Sequence, residues 1–224
     1  MALLLHIDTS TDVASICLSE DSQVLSYAEN ADQRDHAGWL QPAIQEMMKS
    51  CSFQLQQLHA VGVTAGPGSY TGLRVGLATA KGLCFALQIP LITVNTLEAM
   101  ASAAPREEGT YLCPMIDARR MEVFTAVYDA DLHEIQQPSA MQVASESFDN
   151  YLQQGKVIFF GNGAPKVQQR IRHINANFCK ISFNASFLPI LINKKYHVKA
   201  FSNLTYTEPA YFKEFYTPAL KKTL

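Results

Sequence analysis

Apolar residues appear first in short unbroken runs and only afterwards at helical spacing. The segments LLLHID at 3–8 and AVGVTA at 60–65 are apolar almost throughout. Runs of that length bounded by turn formers predict strands. Two further strands are predicted over 12–19 and 23–29, with TST and EDSQ supplying the turns. Between 38 and 50 the pattern changes period. Trp39, Leu40, Ala43, Ile44, Met47 and Met48 recur every three or four residues, which predicts an amphipathic helix. A second helix is predicted over 70–87, ending before QIP, and LITV follows as another strand. Strands paired first and then alternating with helices predict an α/β sandwich.

After about residue 105 the pattern restarts. YLCPMIDA at 111–118 echoes LLLHIDTS at 3–10, and VIFFGNGAPK at 157–166 echoes the strand-to-glycine passage VGVTAGPGSY. Two echoes in the same order suggest an internal duplication, with an N-terminal lobe at 1–104 and a C-terminal lobe at 105–224. EVFTAVYDADLHEIQQ supplies two strands of the second lobe around an Asp-rich turn. A short helix is predicted near 186–195, and TYTEPAYFKEFYTPALKK reads as an irregular tail with proline-fixed turns.

The stretch AGPGSYTGLRVG holds four glycines in positions 65–76. It has neither the third glycine of a dinucleotide fingerprint nor the GK[ST] ending of a P-loop. Amides near Gly66, Gly68, Ser69 and Thr71 could hold an anion at the helix start. The alternative, which the residue types favour, is a strand-to-helix turn with Ser69 as N-cap. Within the helix, Gly72, Gly76, Ala80 and Cys84 form a stripe of small side chains that lets a neighbouring backbone approach closely. The remaining faces are apolar nearly all round, so the helix should be covered by more than one sheet. The earlier helix is its natural neighbour. The pair could either seal the sheet or offer an apolar face to another chain.

Composition narrows the class. The chain of 224 residues is 48% hydrophobic and 17% charged, which describes a globular protein, and its formal charge of −2 gives no overall attraction to nucleic acid or anionic lipid. Five scattered cysteines without a CxxC pair read as small hydrophobes of a reducing cytoplasm. The N-terminus reads as a first strand rather than a signal peptide, and no run is long enough for a membrane span.

Catalytic motifs are sparse. The six histidines include no HxxxH or HExxH, and no GxSxG elbow occurs, so no metal site and no catalytic residue is assigned. His6 reads as a core or sheet-facing residue and His36 as a capping or interface residue. Asp8 and Asp117 end matching strands and could position a metal–nucleotide between lobes. Their local sequences, DTST and DARR, read as turns first.

Five segments, LHIDTST, HAGWLQPAI, GVTAGPGSYTGLRVGLATAKGL, PMIDARRMEVFTAVY and EPAYFKE, resemble in order the signature segments of the bacterial TsaB (YeaZ) family. The resemblance implies an α/β, actin-like (Hsp70/sugar-kinase) duplicated two-lobe fold. It also implies a non-catalytic scaffold. Such a subunit dimerises with its catalytic paralogue TsaD, joined by the ATPase TsaE, in the complex that adds threonylcarbamoyl to tRNA adenosine. It further implies homodimers when the chain is alone, contact with tRNA only through the complex, and a cytoplasmic location. No cofactor is implied for this chain alone, with ATP or ADP left as a ligand of the assembled complex. By the family's pattern the contact surface falls on His36, Trp39, Leu40, Ile44, Met47, Leu73, Arg74, Leu77 and Lys81. The histidine pair that TsaD uses for its metal is missing, and the segment 172–205, rich in Asn, Phe and Lys, departs from the family. The rival expectation is an actin-fold ATP-binding enzyme using Asp8 and Asp117. A metalloprotease is disfavoured.

Overall fold

Two five-stranded mixed sheets carry the same strand order in this computed structural model, which describes residues 1–32 and 35–213. In the first sheet β1 (Leu3–Asp8), β2 (Ala14–Glu20), β3 (Gln23–Asn30), β4 (Ala60–Thr64) and β5 (Leu91–Val94) are ordered β3-β2-β1-β4-β5. In the second, β6 (Thr110–Asp117), β7 (Glu122–Tyr128), β8 (Glu134–Gln142), β9 (Lys156–Phe160) and β10 (Ala176–Phe178) are ordered β8-β7-β6-β9-β10. Each sheet therefore reads third, second, first, fourth, fifth. In both, the first three strands are antiparallel and the last two run parallel to the first. The internal echoes fall on equivalent elements, β1 with β6 and the end of β4 with the end of β9.

The unbroken apolar runs follow from burial on both faces. Along β1, Leu3, Leu5 and Ile7 face a core shared with Leu40, Ile44 and Met47 of α1 (His36–Ser50) and Leu77 and Cys84 of α2 (Tyr70–Leu87). Leu4 faces the opposite core, with Ile92, Leu188, Leu191 and Ile192. His6 shares that burial. Its Nε2 lies 2.7 Å from Ser19 Oγ, and desolvation pulls its pKa down to about 3, so it is a neutral core histidine. Edge strand β3 is covered on one face at most, and its residues alternate between exposed and partly buried.

A short helix missed in the sequence reading, α3 (Thr96–Ser102), links the lobes. Asn95 Oδ1 caps it by accepting from the amides of Leu97 and Glu98 at 2.8 and 3.4 Å. Leu97, Met100 and Ala101 pack against Leu112, Ile116 and Phe160 of the second sheet. Two more short helices, α4 (Asp149–Leu152) and α5 (Ala164–Gln168), cover the far face of that sheet with Phe148, Leu152 and Val167. They are too short to show a helical period.

The final helix, α6 (Pro189–His197), begins three residues later than expected, after a 3-10 turn at Ala185–Phe187. It also corrects the expected boundary. Residues from about 185 onward return to the first sheet, so the lobe expected at 105–224 closes in space near residue 184. Ile192 presses on Gly62 of β4 so closely that any side chain there would collide with it. The tail beyond residue 213, with its expected proline turn, lies outside the described residues. Truncating Ile192 to alanine should therefore lower the stability of the first lobe, by about 2–5 kcal/mol as for other buried aliphatic truncations. Urea unfolding followed by Trp39 fluorescence would show it. An unchanged midpoint would place α6 outside that core.

Candidate functional site

Between the lobes a cleft of about 900 Å³ opens where β1, β4 and β6 end. Ser10, Thr11 and Asp12 line it from the turn after β1, Gly68–Gly72 from the start of α2, and Asp117–Arg120 from the turn after β6. Ala210–Lys213 runs across it. The amide of Ala210 donates to the Ala65 carbonyl at 2.7 Å, the Tyr211 ring lies 5.1 Å from that of Tyr70, and Lys213 Nζ reaches the Ala118 carbonyl at 3.4 Å. Lys213 also pairs with Glu122, and Asn162 Nδ2 donates to Asp12 across the lobes at 3.3 Å. The cleft is thus spanned by polar ties and by a peptide strap.

The glycine loop is built for close packing. Ser69 Oγ accepts from the Gly72 amide at 3.3 Å, so Ser69 is the N-cap of α2 as expected. The Ser69 amide donates to the Ser10 carbonyl and the Thr9 hydroxyl to the Gly72 carbonyl, each at 2.7 Å. A Cβ on Gly68 would strike Ser10, and one on Gly72 or Gly76 would strike Thr9. Gly66 has φ +116°, and its carbonyl accepts from the Thr96 amide at 2.9 Å. The small stripe is therefore spent on the β1 turn and the sheet, and two of the loop's amides already have partners within the chain. Ser69 and Thr71 are the exposed members of the four candidate anion residues.

Asp8 and Asp117 are not brought together as open carboxylates. Asp8 is wholly buried and does not line the cleft; its Oδ1 accepts from the hydroxyls of Ser10 and Thr64 at 2.6 Å. Desolvation raises its pKa, opposed by those hydrogen bonds and by the charge of His36. Asp117 does face the cleft, bonded to Lys166 and to the Arg119 amide. Burial pushes its pKa upward, but the hydrogen bonds and positive charges of Lys166 and Arg119 outweigh it and hold the carboxyl below its ordinary value. The residues Arg119, Arg120 and Met121 that turn the chain here all have positive φ.

The expected contact residues divide sharply. Leu40, Ile44, Met47, Leu73 and Leu77 are buried in the chain's own structure, Leu77 being 3% exposed. They fill the space beneath α1 and α2 and offer no surface, which corrects the sequence expectation. His36 is buried in the cleft wall, and its Nε2 has no hydrogen-bond partner among the described residues. Lys81 is tied within the chain, donating to the carbonyls of Thr205 and Thr207 at 3.3 and 3.1 Å. Trp39 is partly buried and Arg74 is exposed, its guanidinium donating to Tyr70 Oη at 2.6 Å. The side of α2 that does face outward carries Thr71 and Arg74, both named from the sequence, and Ala78, Gly82 and Phe85, which the sequence reading missed, the last 70% exposed. Their spacing of three and four was visible. The sequence did not show which side of an all-round apolar helix the sheet would cover.

Comparison with known proteins assigns the class. The profile of the family described as "TsaD: tRNA N6-adenosine threonylcarbamoyltransferase" matches residues 24–220, and the chain belongs to that family. Similar curated relatives include TsaB proteins. The "tRNA threonylcarbamoyladenosine biosynthesis protein TsaB" of Escherichia coli is 36% identical over 129 residues, covering 57% of this chain and 55% of the relative. That of Bacillus subtilis is 34% identical over 125 residues, covering 56% and 54%. The aligned part spans about half the length of these curated relatives. A Pseudomonas aeruginosa structure described as an uncharacterized protein with similarity to peptidase YEAZ superposes with a TM-score of 0.83 at 25% identity. That match covers 95% of this chain and all of the other. A second, "YeaZ from Pseudomonas aeruginosa", gives 0.80. The fold is the actin-like, duplicated α/β fold, as the resemblance implied, and no helix among the described residues is long and apolar enough to cross a membrane.

Two outcomes test this geometry. Gly72→Ala should destabilise the chain. Overpacking against the Thr9 backbone costs about 1–3 kcal/mol, more than the roughly 1 kcal/mol that alanine gains over glycine in a helix. Gly82→Ala, where a Cβ meets open space, should stabilise it by about that gain, and chemical denaturation of the two variants reads both signs. Asp8→Asn tests the buried acid. A raised folded pKa means that the native state keeps its proton where the unfolded chain has lost it, so Asp8 costs stability as pH rises from about 4 toward the folded value. The stability of the Asn variant relative to the parent should therefore increase between pH 4 and pH 7. An unchanging difference would mean that Asp8 is ionised in the fold.

Proposed function

We propose that this chain is a non-catalytic scaffold subunit of a tRNA threonylcarbamoyladenosine-forming complex, docking a TsaD-like paralogue through the outer side of α1 and α2. The observation that carries the reading is Gly82. It sits well inside an 18-residue helix, on the exposed side, with nothing among the described residues within 4 Å of the position a Cβ would take. A helical glycine costs about 1 kcal/mol against alanine, and none of the described residues uses the space it leaves. With Ala78 and the exposed Phe85 it forms a low, apolar track on which a second helix can lie closely, flanked on α1 by Trp39 and Ala43. The family and the names of the relatives supply the partner's class.

Catalysis belongs in this reading to the partner. The chain has no histidine pair at helical spacing, Asp8 is walled off behind Ser10 and Thr64, and Asp117 is engaged by Lys166. ATP or ADP and a TsaE-like ATPase enter with the assembled complex, tRNA is bound chiefly through it, and the complex works in the cytoplasm. Alone, the chain pairs with a second copy through the same side of α2.

Phe85→Glu and Gly82→Arg should each give a folded chain that no longer assembles with the paralogue in sedimentation velocity. Leu77→Glu should fail at an earlier stage, because an unpaired charge buried in the core costs several kcal/mol and unfolds the lobe. If both surface variants assemble like the parent, the docking side is elsewhere.

A further inference from the structure

The net charge of −2 conceals a segregation along the chain. Between Asp149 and Glu208 there is no acidic residue, while Lys156, Lys166, Arg170, Arg172, Lys180, Lys194, Lys195 and Lys199 all fall in that interval. Of the 18 basic and 20 acidic residues, this interval therefore holds 8 and 0 and the rest of the chain 10 and 20, a balance of +8 against −10. Several of these cations are spent internally: Lys166 on Asp117, Lys156 on Glu107, Arg170 on the Val143 carbonyl and Lys195 on the Thr93 carbonyl.

Of the four left, Arg172, Lys180, Lys194 and Lys199, two stand together on one hydrogen-bonded turn at the end of α6. The amides of Val198, Lys199 and Ala200 donate to the carbonyls of Lys194, Tyr196 and Lys195, and the Phe201 amide to that of Lys199. Lys194, His197, Lys199 and Phe201 are all exposed on it. The Tyr196 ring lies 5.9 Å from that of His197 and 6.0 Å from that of Phe201. Ser202 then bridges to Leu91, so the turn caps the β5 edge of the first sheet, and Tyr206 follows at 81% exposure.

We propose that this basic, aromatic corner, built on Lys194, His197, Lys199 and Phe201, with Tyr206 on the segment that follows, is an RNA-contacting surface of the chain itself. Lysines neutralise backbone phosphates, and exposed planar rings offer stacking to unpaired bases. Leu191 and Ile192 of α6 are buried on the first sheet, and the exposed apolar residues of the helix and its end, Ile190 and Val198, are too few for the continuous apolar face with which an amphipathic helix lies in a lipid surface. The proposal rests on the function proposed above only for the identity of the RNA.

The test is fluorescence anisotropy of the purified chain with a labelled, unmodified tRNA transcript over a salt series. Lys194→Glu/Lys199→Glu should weaken binding at low salt by about tenfold or more and reduce the slope of log K against log salt by about 2. Phe201→Ala/Tyr206→Ala should weaken binding while leaving that slope in place. The charge-matched control Lys49→Glu/Arg106→Glu should bind like the parent, and matching thermal melts establish that the variants are folded. Failure of the parent to bind the transcript would overturn the proposal, as would equal losses in the lysine variant and the control. So would lysine-dependent capture by phosphatidylserine vesicles in place of RNA. Mixing the lysine variant with the TsaD-like paralogue separates the two claims: assembly reports on the scaffold, anisotropy on the corner.

Discussion

The turn after β1 and the first turns of α2 occupy almost the same space, and the rest of the first lobe is arranged around that contact. Thr9 donates its hydroxyl to the Gly72 carbonyl, Ser10 receives the Ser69 amide, and Gly68, Gly72 and Gly76 have no side chains because Thr9 and Ser10 stand where those side chains would be. This interlock fixes the angle at which α2 leaves β4. It commits Leu73 and Leu77 to the interior, where α1 joins them, and it turns Ala78, Gly82 and Phe85 outward. It also keeps Asp8 buried, its proton favoured by desolvation and its Oδ1 held by Ser10 and Thr64. Asp8 is part of a packing joint.

That joint accounts for what could and could not be read from the residues. The strands β1 and β4 were legible because burial on both faces, seen in the structure, demands unbroken apolar runs. The duplication was legible because equivalent strands end in Ile-Asp or run into Gly-x-Gly. The helix over 70–87 was legible to the residue, since Ser69 and QIP mark its ends. α3, α4 and α5 were not, because helices of four to seven residues do not complete enough turns to show a period. The return of α6 to the first sheet depends on Ile192 meeting Gly62, a contact between residues 130 positions apart that no local pattern encodes.

The contact residues show the same limit in sharper form. A helix that is apolar on every side announces that it is covered on every side, but not by what. Leu40, Ile44, Met47, Leu73 and Leu77 have the character of an interface and serve as core. Gly82 and Ala78 have the character of packing residues and face outward. Burial, not residue type, separates the two groups, and the outward group is what makes a docking surface the better reading than a sealed helix pair. The cleft points the same way. With its acids buried or paired and a strap of residues 210–213 across it, it joins the lobes into a firm platform.

The central claim is that α1 and α2 form a platform whose outer side receives a TsaD-like paralogue. Light scattering of the purified chain, alone and mixed with that paralogue, measures this most directly. The account predicts a homodimer mass for the chain alone that gives way to a one-to-one heterodimer on mixing. Masses that simply superpose, with no heterodimer at micromolar concentrations, would contradict it.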